Sequence, residues 1–182
     1  MRRSLGTSGL AVGRIEVTAM RRRHLRGVMA IETRVYPRPW SPNLFLAEMA
    51  DPVHRCYLVA RERGDVVGYG GIICYGDEAH VTNIAVHPGH HRRHIGTRLL
   101  HDLARGGIAL GAESISLEVR VTNWGAQRLY ARFGFTPVGI RRNYYQESRE
   151  DALIMWANDV RSAAYERRLR AAAALLPEEV RP

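Results

Sequence analysis

The chain has 182 residues, 46% of them hydrophobic, and a formal net charge of +9, which fits one domain with a sizeable core. No apolar run approaches the roughly 20 residues that a membrane-spanning helix needs, and two cysteines are too few for a disulfide framework. The 27 basic residues are all arginines and are scattered, so we expect a solvated surface and no direct nucleic-acid binding. Residues 1–14 lack the long apolar region of a secretory signal, and we expect a flexible extension of a cytoplasmic protein.

The predicted elements follow from hydrophobic periodicity and turn residues. In chain order they are a strand at 15–20, a helix at 22–35, a helix from 41 to about 51, a hairpin of 55–62 and 66–75, a strand at 78–86, a helix at 95–110, a strand at 114–120, a helix at 123–133, strands at 136–140 and 152–157, and a helix at 159–176. This order indicates a mixed α/β fold. We expect one domain over 15–158, followed by an arginine- and alanine-rich helix or tail over 159–182.

A basic loop joins the strand at 78–86 to the helix at 95–110, and it contains His91, Arg92 and Arg93. The first N–H groups of a helix lack internal partners, and the helix dipole adds roughly half a positive charge at that end. The two arginines add full charges beside it. We therefore predict a phosphate-binding site at this junction.

The histidines of the same region raise a competing hypothesis. His87, His90, His91 and His94 are spaced i, i+3, i+4 and i+7, a spacing that gathers metal ligands on one face of a helix. Pro88-Gly89 interrupts any helix there, and no carboxylate or cysteine joins the pattern. We predict no metal site.

Two motifs resemble a known family. N-I-A-V-x-P followed by R-R-x-x-G ahead of an apolar helix resembles the acetyl-coenzyme A (acetyl-CoA) loop of the GCN5-related N-acetyltransferases, or GNAT family. Against the usual Q/R-x-x-G-x-G/A pattern, His91 stands at the Gln, His94 at the first Gly and Gly96 at the second. L-E-V-R-x-x-N-x-x-A-x-x-L-Y-x-x-x-G-F, from Leu117 to Phe135, resembles the later part of the same fold.

The resemblance covers about residues 15–157 and implies the GNAT fold, a mixed and mostly antiparallel central sheet flanked by helices. It implies acetyl-CoA as the acetyl donor. In it, the backbone N–H of Val86 would hydrogen-bond the thioester carbonyl, where charge develops. The residues that it places at the cofactor are Ile84, Ala85, Val86, His91, Arg92, Arg93, His94, Ile95, Gly96, Thr97 and Asn123.

A narrower resemblance concerns the acceptor. R-R-N-Y-Y at Arg141–Tyr145, R-E-D-A-L-I-M at 149–155 and the Pro39-Trp40-Ser41 loop are similar to the RimI branch of the family. That branch acetylates the N-terminal alanine of a small-subunit ribosomal protein. The similarity implies a peptide α-amine as acceptor, with Trp40, Tyr144 and Tyr145 around it.

Glu118 is the candidate general base. A peptide α-amine has a pKa near 8, so much of it is protonated near neutral pH and a base is needed. Glu118 lies mid-strand on the face opposite Leu117 and Val119. The alternative role is a surface salt bridge with Arg120 or another arginine.

Tyr130 is the candidate acid, because the family assigns the tyrosine at this place to protonating the leaving thiolate. Helical spacing lets Asn123 and Tyr130 share one face. The alternative is a tyrosine that only packs in the core.

Two other function classes remain open at this point. One is an acetyltransferase for a lysine side chain or a small amine, and the other is a CoA-binding or RNA-associated module without turnover. Glu118 and Tyr130 favour catalysis, because a binding module needs neither.

Overall fold

The structure is a computed structural model that describes residues 13–182. Within them, seven strands form one sheet in the order β1-β2-β3-β4-β5-β7-β6. Neighbouring strands are antiparallel except β4 and β5, which are parallel. The strands are β1 (Ile15–Ala19), β2 (Arg55–Glu62), β3 (Asp65–Tyr75), β4 (Glu78–Val86), β5 (Ser114–Arg120), β6 (Thr136–Tyr145) and β7 (Glu150–Ala157). The predicted mixed, mostly antiparallel α/β fold is confirmed.

Helices cover both faces of the sheet. They are α1 (Leu25–Val35), α2 (Pro42–Met49), α3 (Ile95–Ala109), α4 (Trp124–Arg132) and α5 (Ala163–Ala174), with short 3₁₀ turns at Arg22–His24, Pro88–His90 and Glu178–Val180. The predicted N-cap of α2 is confirmed, because the Ser41 side chain accepts a hydrogen bond from the Leu44 N–H. Most predicted boundaries agree closely with these elements.

The largest difference is in β6, which continues from the predicted end at 140 to Tyr145. Asp151 of β7 accepts a 2.9 Å hydrogen bond from the backbone N–H of Asn143, which has a left-handed φ of 50°. This side-chain contact holds an irregular pair of strands together where simple alternation ends. Sequence periodicity does not report such a bulge.

The last helix is shorter than the predicted 159–176. The Ser162 side chain accepts a hydrogen bond from the Tyr165 N–H, so the helix begins at Ala163. Tyr165 and Leu169 are buried in the same core cluster as β5 and α3. The proposed division of the chain at 158 stays a prediction.

Helix α3 is held firmly against the sheet, and its position matters for the site. Leu99, Leu100 and Leu103 are completely buried. Gly70 of β3 lets this helix approach closely, since a Cβ there would lie 2.8 Å from Leu103 Cδ1. The N-terminus of α3 is therefore fixed relative to β4.

Strands β4 and β5 pair only at their beginnings. Glu78–His80 face Ser114–Ser116, and beyond these residues β4 pairs only with β3 on its other side within the described chain. The strands part there, which opens a gap in the middle of the sheet. Two cavities lie along this gap.

Of the predicted extension 1–14, residues 1–12 lie outside the described part, while the Gly13 N–H donates a 2.7 Å hydrogen bond to Glu62. Across residues 13–182, no helix combines the length and apolar character needed to cross a bilayer.

Candidate active site

A cleft of about 990 Å³ lies between the end of β4, the loop 87–94, the start of α3 and α4. Arg92, Arg128 and Arg132 are among its lining residues, so its wall is basic. Ten of the eleven predicted cofactor-binding residues line it, namely Ile84, Ala85, Val86, His91, Arg92, His94, Ile95, Gly96, Thr97 and Asn123.

The loop ahead of α3 turns sharply to present the helix N-terminus to this cleft. Arg92 and His94 adopt left-handed backbone angles, with φ of 62° and 59°, and His94 is the N-cap residue of α3. A Cβ added to Gly96 would find its nearest neighbours 3.8 Å away, on Leu129 and Val86. The surrounding protein therefore has space for a side chain at position 96. Because Gly96 has none, this space stays open for a ligand near the helix N–H groups.

Arg93 is the predicted cofactor residue that the structure does not place in the cleft. Its guanidinium forms a bidentate ion pair with Glu62, at 3.0 and 2.8 Å, and lines a neighbouring cavity. Hydrogen bonds from Arg93 lower the pKa of Glu62 to about 2. Arg93 therefore connects the loop to β2, and its positive charge is neutralised by Glu62.

The backbone of β4 offers hydrogen-bond groups along the gap. The carbonyl of Ile84 accepts from the Tyr36 hydroxyl at 3.4 Å, and the carbonyl of Val86 lies 3.0 Å from Nε2 of His91. Because the N–H and C=O of one strand residue point to the same side, the N–H groups of Ile84 and Val86 also face the gap. His91 thus contacts the strand end.

A second cavity, of about 300 Å³, continues the gap on the other side. Trp40, Tyr144 and Tyr145 all line it, together with Glu118 and His80. We call it the acceptor cavity, after the role predicted from the sequence for Trp40, Tyr144 and Tyr145. Three residues line both it and the cleft, namely Ile84, Asn123 and Tyr130.

Glu118 is nearly enclosed in the wall of the acceptor cavity, with 9% of its side chain exposed. Its Oε2 lies 3.1 Å from Nε2 of His80, and its Oε1 lies 3.2 Å from Nη1 of Arg141. The hydrogen bond with His80, assisted by the charge of Arg141, lowers the pKa of Glu118. Of the alternative salt-bridge partners, Arg120 pairs with Glu147 and Glu150, whereas Arg141 does pair with Glu118, so the salt-bridge role stays open beside that of a base.

Tyr130 stands where the cleft and the acceptor cavity meet. Burial raises the pKa of Tyr130 to about 12, so its hydroxyl keeps its proton at neutral pH and is available as a donor. Asn123 starts α4 as its N-cap, since its Oδ1 accepts a 3.1 Å hydrogen bond from the Ala126 N–H. This cap fixes the helix that carries Tyr130.

Glu32 is a site residue that the motifs did not identify. It is 2% exposed, and its Oε1 accepts a 2.8 Å hydrogen bond from the Trp40 N–H. Its Oε2 is buried without a hydrogen-bond partner among residues 13–182, and Glu32 lines the acceptor cavity. Burial raises the pKa of Glu32. The sequence did contain a signal for Glu32, because this carboxylate falls on the same helical face as the apolar residues Val28 and Ile31.

Comparison with known proteins shows the family to which the chain belongs. The sequence model of the acetyltransferase (GNAT) family matches residues 25–135. The chain belongs to the GNAT family. It is an acetyl-CoA-dependent N-acetyltransferase, and the GNAT resemblance found in the sequence is confirmed.

Individual GNAT relatives are also similar over most of the chain. N-alpha-acetyltransferase RimI of Mycobacterium tuberculosis is 44% identical over 124 residues, 64% of this chain and 74% of the relative. The [ribosomal protein bS18]-alanine N-acetyltransferase of Salmonella typhimurium is 36% identical over 127 residues, 69% and 84% of the two chains. The crystal structure of the ribosomal-protein-S18-alanine N-acetyltransferase from Escherichia coli superposes with a TM-score of 0.72 at 31% identity, covering 80% of this chain and 94% of that one.

The histidines of the GNAT loop do not converge on one point. His87 contacts Arg34 and lies 3.4 Å from His90 between their Nδ1 atoms, whereas His91 reaches Val86. Over residues 13–182, no group of three or more His, Cys, Asp or Glu side chains is arranged to hold a metal ion.

His94→Gly should bind CoA as tightly as the wild type or more tightly, because glycine adopts the left-handed φ of 59° readily and removes the Cβ beside the helix N-terminus. Isothermal titration with CoA measures this. His94→Ala is the matched control, since it removes the ring but keeps the Cβ. Weaker binding by the glycine variant than by the alanine variant would contradict the prediction.

Proposed function

We propose that the protein transfers acetyl from acetyl-CoA to the α-amine of a protein N-terminus, and that its substrate is the N-terminal alanine of a small-subunit ribosomal protein. The observation that carries the proposal is the meeting of the basic cleft and the acceptor cavity at Tyr130, with Glu118 in the acceptor wall. The names of the Salmonella typhimurium and Escherichia coli relatives support alanine and the ribosomal protein.

The cleft fits acetyl-CoA in charge and in shape. The N-terminus of α3 and the guanidinium of Arg92 provide positive charge for its phosphates, and Gly96 leaves the space that a close approach needs. The N–H groups of Ile84 and Val86 lie farther along the gap, and they are the donors for the amide-bearing arm and the thioester oxygen. In this proposal Arg93 holds the loop in place and does not contact the cofactor.

Glu118 and Tyr130 divide the proton chemistry. Glu118 accepts the proton that the attacking amine loses, and the N–H of Val86 stabilises the charge that develops on the thioester oxygen. Tyr130 then donates its proton to the departing thiolate. Burial raises the pKa of Tyr130 to about 12, so its hydroxyl is protonated at neutral pH.

The acceptor cavity suits a free chain end. Trp40 lines it, as does the perpendicular pair Tyr144 and Tyr145, with ring centroids 5.1 Å apart. The arginine side chains of 120 and 141 lie over these two tyrosine rings and brace them. The buried carboxylate of Glu32 provides a negative partner for a cationic amine entering between these walls.

The acidic residues of the β6–β7 hairpin do not serve that purpose. Glu147 and Glu150 pair with Arg120, and Asp151 pairs with Arg142. Each of these carboxylates already has an arginine partner, whereas Oε2 of Glu32 has no hydrogen-bond partner among residues 13–182.

An alanine-first peptide should be acetylated at its α-amine and not at internal lysines, because the aromatic walls admit a single free chain end. The test incubates this peptide, and an N-terminally blocked twin containing lysine, with acetyl-CoA and locates the acetyl group by mass spectrometry. Equal acetylation of the two peptides would refute the α-amine proposal and favour a lysine or small-amine substrate. No acetylation of any amine in a broad panel would favour a binding module.

Glu118→Gln should lower kcat/KM by roughly 10- to 10,000-fold near neutral pH, since it removes the proton acceptor. The loss should shrink at alkaline pH, where the substrate amine deprotonates in solution, and CoA affinity should stay unchanged. The control is Glu113→Gln, because Glu113 pairs with Arg161 and does not line the acceptor cavity. Equal rates for Glu118→Gln and wild type at every pH would assign Glu118 a structural role only.

Glu32→Gln should raise the KM for the peptide roughly tenfold or more, as expected for the loss of a hydrogen bond between charged groups. The KM for acetyl-CoA should not change, and the amide oxygen of Gln still accepts from the Trp40 N–H. Steady-state kinetics with both substrates varied provide the measurement. A peptide KM that equals the wild-type value would exclude Glu32 from substrate binding.

A further inference from the structure

A chain of hydrogen bonds joins α2 and β2 to the wall of the acceptor cavity. The Tyr57 hydroxyl of β2 donates a 2.8 Å hydrogen bond to Oε2 of Glu48, whose Oε1 accepts from Arg55 at 3.2 Å. The same Tyr57 oxygen lies 3.1 Å from Oγ1 of Thr82 on β4, and Thr82 lines the acceptor cavity. The chain of hydrogen bonds therefore ends at a side chain that a bound acceptor can reach.

A bulge and a glycine bring Tyr57 and Thr82 together. In the pairing of β3 with β4, Gly71 faces Asn83, and the next residue of β3 faces Val81. Thr82 is therefore the extra residue of a β-bulge, a feature that redirects side chains locally. Gly71 also faces Tyr57 of β2, and a Cβ at position 71 would overlap the Tyr57 ring. The missing side chain lets this ring cross β3 and reach Thr82.

The directions of these hydrogen bonds follow from the groups themselves. The carboxylate of Glu48 is paired with Arg55 and can only accept, so the single hydroxyl proton of Tyr57 goes to Glu48. The contact between Tyr57 and Thr82 then requires the hydroxyl proton of Thr82. Tyr57 is the one hydrogen-bond partner of the Thr82 hydroxyl within residues 13–182. The Thr82 oxygen therefore keeps lone-pair capacity for a donor in the cavity.

Thr82 lies at the depth of the first peptide bond of a bound acceptor. Ile84 lines both the cleft and the acceptor cavity, whereas Thr82 lines only the second of these two. Thr82 is two residues back along β4, which places it about 6.6 Å farther from the cleft. When the α-amine reaches the junction at Tyr130, the N–H of the first peptide bond lies about 3.5 Å behind it. The difference is about the length of one hydrogen bond.

We infer that Thr82 is a substrate-binding residue whose hydroxyl oxygen accepts the N–H of the first peptide bond of the acceptor, and that Tyr57 is the positioning residue that fixes this hydroxyl as an acceptor. This inference rests on the proposed function. A buried amide N–H without a partner is costly, so the contact favours an acceptor that has an amide next to its α-amine. A small amine without that amide does not gain this hydrogen bond.

The test removes the two partners of the hydrogen bond in turn and measures kcat/KM at pH 7. Thr82→Val keeps nearly the shape of threonine without its hydroxyl, and an ester in place of the first peptide bond of the alanine-first peptide removes the N–H. In the wild type the ester should lower kcat/KM about tenfold, since it also brings two acceptors face to face. In Thr82→Val the ester should lower it about threefold or less, because the two changes affect one contact.

Three further variants separate substrate binding from a structural role. Thr82→Ser keeps the hydroxyl and should retain at least about half of the wild-type kcat/KM. Tyr57→Phe should lower kcat/KM by itself but not when added to Thr82→Val, because Tyr57 acts through Thr82. The matched control is Thr33→Val, since the Thr33 hydroxyl bonds only to the Met29 carbonyl on exposed α1 surface within the described chain, and it should equal the wild type.

The outcomes distinguish this inference from the proposed function. An ester that lowers wild-type kcat/KM less than about twofold would overturn the inference alone, and this result needs no variant that folds. An equal ester effect in the wild type and in Thr82→Val would do the same. A further loss on adding Tyr57→Phe to Thr82→Val would refute the positioning role of Tyr57. A wild type that acetylates no α-amine would overturn the proposed function and this inference together.

Discussion

The parting of β4 from β5 beyond His80 and Ser116 is the constraint on which the rest of the site depends. A continuous sheet would pair the backbone groups of Ile84 and Val86 with β5. Once the strands separate, these groups need other partners, since buried backbone donors without a hydrogen bond are costly. The gap therefore turns ordinary sheet backbone into a row of donors for a ligand. Helices α3 and α4 bracket the gap, one with its N-terminus and the other with Tyr130.

The excess of arginine is distributed unevenly around this gap. Several arginines form ion pairs within the protein, including Arg93 with Glu62 and Arg142 with Asp151. Those that line the cleft keep their charge for a ligand. The acceptor cavity instead combines the carboxylates of Glu32 and Glu118 with the guanidinium groups of Arg38 and Arg120. The two ends of one gap thus differ in electrostatic character, and each suits a different substrate.

Much of the fold and part of the site were predictable from local sequence. Alternation identified β5 and placed Glu118 on the face opposite Leu117, and glycine and proline marked the ends of most elements. The cofactor loop was recognisable because its backbone chemistry depends on consecutive residues. The contacts of Arg93, His80 and Glu32 were not predictable, because each joins residues far apart in the chain. Only the tertiary fold decides whether an arginine beside a phosphate loop turns outward or pairs with Glu62.

The last residues of the chain close the core at its beginning. Val180 is buried with Ile15 of β1 and with Ile95 and Leu99 of α3, and its carbonyl accepts a 3.0 Å hydrogen bond from Arg98. During synthesis from the N-terminus, β1 and α3 are made long before this partner emerges. The hydrophobic seam beneath the loop 87–94 therefore stays open until Val180 has been synthesised. A chain interrupted before Val180 would carry the candidate catalytic residues on an unfinished support.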